Sequence, residues 1–409
     1  MSPISVMRRC IAISARQRIL RRLWTKNLAI DKSAVRKTDT RDCRWMRVAI
    51  AESRRAEGRT ADNPPVGCAI VGAAGQLLAV GHTAKAGRPH AETEAMTKAP
   101  AALLAGATAY VTLEPCAHTG QTDPCADALI ARKIARVVIA VADPDKRVNG
   151  AGIDRLRAAG ITVDVGVCAA EAGRVLAGFL TRLTASRPFV TWKTATSLDG
   201  MIALADGHKR WLTGPQMRRY VHLLRSRSDA LLSAIGTVLA DDPEFTCRLP
   251  GLEADSPARF VLDANLRTPG SSALVKTLDR APLTLFHQKG APSDGMAALA
   301  DAGVTLTELP SDADGRLNLL AAMQAIAAAG CNTVMVEAGA GLSGSLFSHD
   351  LIDRIVWTQS HHLIGGDAIP AINGMSKLAL PDRTHYMLSD EGRLGDDRWL
   401  VLDRRSREN

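Results

Sequence analysis

The chain has 409 residues, 46% apolar and 23% charged, which is ordinary for a globular chain and too long for one typical domain. No run approaches the eighteen or so apolar residues of a membrane helix, so no membrane partner is expected. The net charge of +9 would suit a nucleic-acid binder, but residues 1–42 hold eleven Arg and Lys against three Asp, which leaves the body nearly neutral and requires no basic face for nucleic acid. That head is Arg-rich and acid-poor, as organelle transit peptides are. Composition is its only targeting feature, so the reading preferred is a disordered extension, or a start placed upstream of a true one at Met46. Eight scattered Cys form no compact framework, so disulfides are not expected and a reducing, cytoplasmic setting fits.

Residues from Trp45 to Gly58 carry a helical pattern. Val66–Val71 and Leu77–Val80 read as short strands separated by a Gly-containing turn. Ala91–Lys98 reads as a helix, Ala109–Leu113 as a strand, Cys125–Arg132 as a helix and Val137–Val141 as a strand. A helix at Ile153–Ala159 and a strand at Ile161–Val165 come next. The alternation predicts an α/β sandwich around a largely buried sheet. Near Ser186-Arg187-Pro188 the pattern restarts. Phe189–Ala195 is a strand, and Pro215–Ser226 a helix with Thr213 as its expected cap and Pro215 in its first turn. Strands are expected at Ala230–Ile235, Arg259–Asp263, Leu283–Phe286, Val304–Leu309 and Thr333–Glu337, with a helix at Leu317–Ala329. The resulting division is a basic extension (1–42), a first domain (43–187) and a second domain (188–409).

The densest chemical signal is His90-Ala91-Glu92, followed by Pro115-Cys116 and then Cys125. One imidazole and two thiolates make a Zn²⁺ set with the fourth position left for water, as catalytic zinc requires. Glu92, two residues past the His, is placed to take the water's proton and hand it to a leaving amine, the arrangement of zinc deaminases. Each ligand falls at or just before an expected helix start, where a thiolate is stabilised. Taken singly, each would be read as a core His or an inert Cys.

Zinc deaminases in general carry Cys-x-x-Cys, whereas eight residues separate Cys116 from Cys125. Thr112-Leu113-Glu114-Pro115-Cys116-Ala117-His118-Thr119-Gly120-Gln121-Thr122-Asp123-Pro124-Cys125 resembles the riboflavin-pathway deaminase family, where a longer loop holds a His and a Gly. Asn63-Pro64-Pro65-Val66-Gly67-Cys68 and Gly87-Arg88-Pro89-His90-Ala91-Glu92 resemble the same family. The resemblance implies that Asn63 contacts the pyrimidine; a plain turn residue is the other reading. His118 reads as a loop or substrate-side residue, since three ligands are already in place. The chain departs from the family pattern at Asp62, where Pro is usual, and at His82-Thr83, where an aromatic and then His are usual.

The second half resembles the reductase partner of that pathway, a dihydrofolate-reductase-like α/β fold using NADPH. The resemblance rests on Lys193-Thr194-Ala195-Thr196-Ser197-Leu198-Asp199-Gly200, Trp211-Leu212-Thr213-Gly214, Leu224-Arg225, Gly236-Thr237-Val238-Leu239-Ala240-Asp241-Asp242-Pro243, Arg248, and Val336-Glu337-Ala338-Gly339-Ala340-Gly341-Leu342-Ser343-Gly344-Ser345. The last run contains G-x-G-x-x-G after a strand. It stands too late in the domain for a full Rossmann unit, yet its glycines would let backbone N–H groups approach phosphate at a helix start. The resemblance implies NADPH contacts at Ala195, Trp211, Thr237, Asp241 and Gly339, Ala340, Gly341, Leu342, Ser343, Gly344 and Ser345. It implies substrate contacts at Arg225, Phe245, Arg248 and Glu337. Arg225 and Arg248 suit a sugar phosphate, with a surface ion pair as the bland alternative. Lys209 stands where the family has Ser and is expected either to touch phosphate or to mark a lost contact.

The expectation is therefore a cytidine-deaminase-like α/β sandwich followed by a dihydrofolate-reductase-like domain, with Zn²⁺ and NADPH as cofactors. Its small-molecule substrate would be a pyrimidine ribotide, it would not bind nucleic acid, and it would form a homo-oligomer, dimer or tetramer. No acid is well placed for a free ribose 2′-hydroxyl, so NADPH is expected over NADH. Two alternatives stand beside this reading: a deaminase of nucleic-acid bases anchored by the head, and a protein with one half catalytically decayed.

Overall fold

The structure, a computed structural model, describes residues 40–118, 123–145, 148–205, 211–374 and 386–405. Most of the basic head, together with Lys209, lies outside the described residues. The chain divides into two compact units, one ending at Ser186 and the other beginning at Arg187.

The first unit runs α1 (Thr40–Ser53), β1 (Gly67–Val71), β2 (Leu77–His82), α2 (Ala91–Lys98), β3 (Thr108–Leu113), α3 (Cys125–Ala131), β4 (Arg136–Val141), α4 (Ala151–Ala158), β5 (Thr162–Val165), α5 (Ala169–Val175) and α6 (Ala177–Ala185). Its five-stranded sheet has the order β2-β1-β3-β4-β5. The first two pairings are antiparallel and the last two parallel. β1, β3 and β4 are buried almost throughout, which explains their unbroken Val, Ile and Ala runs. α1 begins at Thr40, three residues before the boundary read from the sequence, because Asp42 is part of the core. Its carboxylate accepts from Tyr110 Oη at 2.8 Å and from both Arg136 terminal nitrogens at 2.8 and 2.7 Å.

The second unit runs β6 (Phe189–Thr196), β7 (Met201–Leu204), α7 (Pro215–Ser226), β8 (Ala230–Ala234), α8 (Ile235–Asp241), β9 (Ala258–Leu262), α9 (Ala273–Lys276), β10 (Leu283–His287), α10 (Ser293–Asp301), β11 (Thr305–Glu308), α11 (Leu319–Ala328), β12 (Thr333–Glu337), α12 (Ala340–Ser348), β13 (Arg354–Gln359), β14 (Ala368–Pro370), β15 (Tyr386–Leu394) and β16 (Asp397–Arg404). Nine strands form one sheet in the order β11-β10-β9-β8-β12-β6-β13-β16-β15, and β14 pairs with β7. The seven strands from β11 to β13 are mutually parallel, and the β15–β16 hairpin adds antiparallel strands. The residue at the α7 cap is Gly214 rather than Thr213, with Pro215 in the first turn. The Gly214 N–H is taken by the buried Asp397 carboxylate at 2.7 Å.

Parallel packing fixes where function gathers. β8, β12 and β6 are neighbours pointing the same way, so the segments leaving their carboxyl ends meet at one edge. α8 comes directly after β8, and α12 comes two residues after β12. No described helix is long and apolar enough to cross a membrane.

Candidate active sites

In the first unit, the N-termini of α2 and α3 converge on the loop leaving β3. His90 is the extended residue capping α2, and Cys125 is the first residue of α3. His90 Nδ1 lies 3.3 Å from Cys125 Sγ and 3.7 Å from Cys116 Sγ. The three ligand atoms all fall within 4.8 Å of one another. The Cys125 N–H donates to Cys116 Sγ at 3.3 Å. The Cys125 thiol, then His90 and that N–H, hold Cys116 down to about 4 against the cost of burial. Cys125 is pushed up, by its contact with Cys116 and by burial. One thiolate is thus preformed, and a bound cation is what would ionise the second. One nitrogen and two sulfurs suit a borderline-soft ion such as zinc, so the residues present fit the metal.

Glu92, in the first turn of α2, is 4% exposed. Burial raises its pKa, Cys116 adds to that, and His90 opposes it. The sequence reading gave Glu114 no role. Its buried carboxylate accepts N–H groups from Asp143, Gly150, Gly152 and Ile153 at 3.0–3.2 Å. Gly152 packs so tightly that a Cβ would sit 2.0 Å from the Pro115 carbonyl oxygen. These contacts fix Pro115-Cys116 against the start of α4. The only hint in the sequence is an acid at a strand end, which says nothing about partners some 30 residues away.

Asn63 is half-buried. Its amide donates to Asp62 Oδ1 at 3.2 Å and packs on Gly87, where a Cβ would come within 2.1 Å of Nδ2. The unusual Asp62 therefore orients Asn63. The unusual Thr83 is also engaged: its hydroxyl donates to the Pro64 carbonyl at 2.9 Å and accepts the Val66 N–H at 3.0 Å. It ties down the Asn-Pro-Pro loop. His82 Nδ1 meets Glu52 at 2.8 Å. His118 Nδ1 is buried with no partner among the described residues.

In the second unit the register Glu337↔Lys193 brings the carboxylate that ends β12 beside an ammonium in the middle of β6. Arg225 on α7 closes the group, with Nε 2.6 Å from Glu337 Oε1 and Nη2 3.0 Å from Oε2. Burial would raise Glu337, but Arg225 and Lys193 hold it at about 2. Burial pushes Lys193 below its ordinary value. Arg225 Nη1 donates to the Thr246 carbonyl at 3.1 Å, and its guanidinium lies 5.7 Å from the Phe245 ring centroid. Arg248 is 43% exposed beside Glu244 at 3.5 Å. Arg225, Phe245, Arg248 and Glu337 are thus brought together, but the two arginines are unequal. The Arg225 fork is spent on Glu337 in a part-buried pair, and Arg248 is the more exposed cation.

Ala195 and Thr237 are half-buried, and Asp241 is exposed at the end of α8. Trp211 is 77% exposed, with the Arg218 guanidinium 4.8 Å from its ring centroid. Within Gly339–Ser345 the residues differ in what they face. A Cβ at Gly339 or Gly341 meets nothing within 4 Å, whereas one at Gly344 would lie 1.6 Å from the Asn373 carbonyl oxygen. Gly344 serves packing; Gly339 and Gly341 leave the start of α12 open. Ser343 is fully buried, accepting from Trp192 Nε1 at 2.9 Å and donating to the Gly339 carbonyl at 3.0 Å. Ala340 is buried, and Leu342 and Ser345 are half-buried.

His222, one turn before Arg225, also went unassigned in the sequence. Burial, with Arg225 and Arg248 adding like charge, lowers it to about 4. A base whose folded pKa is depressed binds fewer protons folded than unfolded between about 6.5 and about 4, so it costs stability as pH falls through that window. Urea midpoints measured at pH 6.5 and 4.5 should drop further in the parent than in His222→Gln. An equal drop in both would show that His222 titrates normally.

The class of protein emerges from comparison with known families. Residues 39–141 match the cytidine and deoxycytidylate deaminase zinc-binding region, and residues 188–390 match the RibD C-terminal domain. The molecule is a deaminase unit of the zinc-binding type joined to a reductase unit. The riboflavin biosynthesis protein RibD of Escherichia coli (strain K12) is 36% identical over 364 residues, covering 88% of this chain and 98% of that protein. That of Aquifex aeolicus is 37% identical over 315 residues, covering 77% and 85%. Acinetobacter baumannii RibD superposes with a TM-score of 0.79 at 34% identity, covering 90% of this chain and 99% of that one. A diaminohydroxyphosphoribosylaminopyrimidine deaminase/5-amino-6-(5-phosphoribosylamino)uracil reductase from Thermotoga maritima gives 0.77 at 28% identity, covering 89% and 99%. The chain belongs to the RibD family of bifunctional riboflavin biosynthesis enzymes.

Proposed function

We propose that the first unit deaminates 2,5-diamino-6-(5-phosphoribosylamino)pyrimidin-4(3H)-one by hydrolysis and that the second reduces the ribosyl group of the product to ribityl with NADPH. The observation that carries the first step is the meeting of His90 Nδ1, Cys116 Sγ and Cys125 Sγ within 4.8 Å beside the buried Glu92. His90, Cys116 and Cys125 would hold the zinc. When bound there, zinc supplies the Lewis acidity that brings a water's pKa toward neutrality. Glu92 takes a proton at its carboxylate and returns it to the departing amine, so that water and the amino-pyrimidine become oxo-pyrimidine and ammonia. Asn63, held by Asp62 and Gly87, orients the base.

In the second unit NADPH supplies the hydride. The protein's share is orientation and exclusion of water. Gly339 and Gly341 leave the α12 start open to phosphate, and Ala195, Trp211, Thr237 and Asp241 are assigned to the same cofactor through the family likeness. Arg248 addresses the ribotide phosphate, while Phe245 and the Arg225–Glu337 pair form the wall beside it. Incubation with the diaminopyrimidinone ribotide should give the deaminated ribosyl compound without NADPH and the ribityl compound with it. An unchanged ribotide under both conditions would defeat the reading.

The metal assignment has its own check. Purified protein should contain about one equivalent of zinc per chain, depleted by Cys116→Ala. Full deaminase activity in metal-free protein would remove zinc from the reaction.

A further inference from the structure

We propose that His222 is a positioning residue of the reductase: its ring holds the Arg248 backbone and so fixes the direction from which that guanidinium meets the phosphate of a phosphorylated sugar. The inference rests on Arg248 being the phosphate contact. His222 and Arg225 lie one turn apart on α7, and both reach the loop after α8. His222 Nδ1 is 3.2 Å from the Arg248 backbone nitrogen and 3.2 Å from the Thr246 carbonyl oxygen. That carbonyl already receives Arg225 Nη1 at 3.1 Å. A backbone N–H can only donate, so Nδ1 accepts from Arg248, the ring proton stands on Nε2, and the Thr246 carbonyl keeps Arg225 Nη1 as its donor. Burial and the two guanidiniums keep the ring neutral, which this role requires.

The loop needs such a tie. Asp242 and Phe245 sit at φ +40° and +55°, left-handed backbone that Asp tolerates but a bulky side chain such as Phe rarely adopts. Such backbone persists where its surroundings over-determine it. From β9, the fully buried Arg259 donates to the Glu244 carbonyl at 3.1 Å. The Ala273 N–H donates to Asp242 Oδ1 at 2.8 Å. These contacts hold the front of the loop. His222 holds the next stretch at Arg248, whose half-exposed guanidinium lies 3.5 Å from Glu244 and donates to Thr246 Oγ1 at 3.4 Å.

The test uses the full chain at saturating NADPH with the deaminated ribotide varied, in His222→Ala, His222→Gln, Arg248→Ala and the double variant His222→Ala/Arg248→Ala. His222→Ala should raise KM about five- to tenfold, the loss of one hydrogen bond, with kcat near the parent value. His222→Gln, whose amide oxygen can accept the same N–H, should recover most of it. Because His222 acts through Arg248, the double variant should match Arg248→Ala alone. If His222→Ala lowers the melting temperature, His222→Leu, which fills the space without an acceptor, takes its place in the cycle. Additive KM effects, or an unchanged KM in His222→Ala while Arg248→Ala raises it, would overturn the role of His222. An unchanged KM in Arg248→Ala would instead remove the phosphate contact on which the inference rests.

Discussion

Glu92→Gln is expected to keep its zinc and its fold and to lose deamination by about 10²–10⁴-fold, the usual contribution of a positioned general acid–base. The substitution isolates proton transfer. Glu92 is 4% exposed in the first turn of α2, so a smaller residue would leave a cavity beside the buried Cys68 and Cys125. Gln keeps the volume and one carbonyl oxygen but cannot carry a proton between water and amine. It alters none of the three metal-ligand atoms, so zinc content should stay near one equivalent. The measurement is single-turnover deamination alongside elemental zinc. A loss of both would point to a structural carboxylate; near-parent turnover would remove Glu92 from the mechanism.

What the sequence disclosed depended on how local each interaction is. The α2 and α7 bounds and the whole of β12 agree with expectation, because each element carries its own periodicity, turn residues or Pro at the start. α5 and α6 gave no signal, being an Ala- and Gly-containing stretch with a break at Leu176. The β15–β16 hairpin was hidden because neither strand alternates cleanly between buried and exposed positions. The grouping of His90, Cys116 and Cys125 was legible from their order and type; His90 and Cys125 stand at the starts of α2 and α3, whereas Cys116, expected near a helix start, lies on the loop leaving β3. The work of Glu114, Asp42 and His222 was not legible. Each binds backbone or side chains brought near only by tertiary folding, 26 to 94 residues away. The Arg225–Glu337 pair shows the same limit in another form: two residues expected at the substrate also bind each other, 112 apart in sequence, and nothing local marks that pairing.

The two activities should be removable one at a time. Cys116→Ala should abolish deamination while leaving reduction of the already deaminated ribotide intact, since every residue assigned to reduction belongs to the second unit and His90, Cys116 and Cys125 to the first. The reverse change needs a position that blocks cofactor without breaking the fold, and the glycines after β12 differ sharply in this respect. Gly344→Ala would press a methyl to within 1.6 Å of the Asn373 carbonyl oxygen, which is backbone and cannot swing aside. That variant should unfold the unit and says nothing about phosphate. At Gly341 an added Cβ meets nothing within 4 Å, and the backbone there is ordinary helix. Gly341→Phe should therefore fold with a near-parent melting temperature. Its side chain would fill the space in front of the α12 N-terminus, where unpaired N–H groups favour phosphate. Reduction should fall with a raised KM for NADPH, and deamination should be untouched. Each variant is assayed on each substrate separately, with zinc and melting temperature measured alongside. Loss of both activities from either change, in protein that remains folded, would show that the two steps share one site.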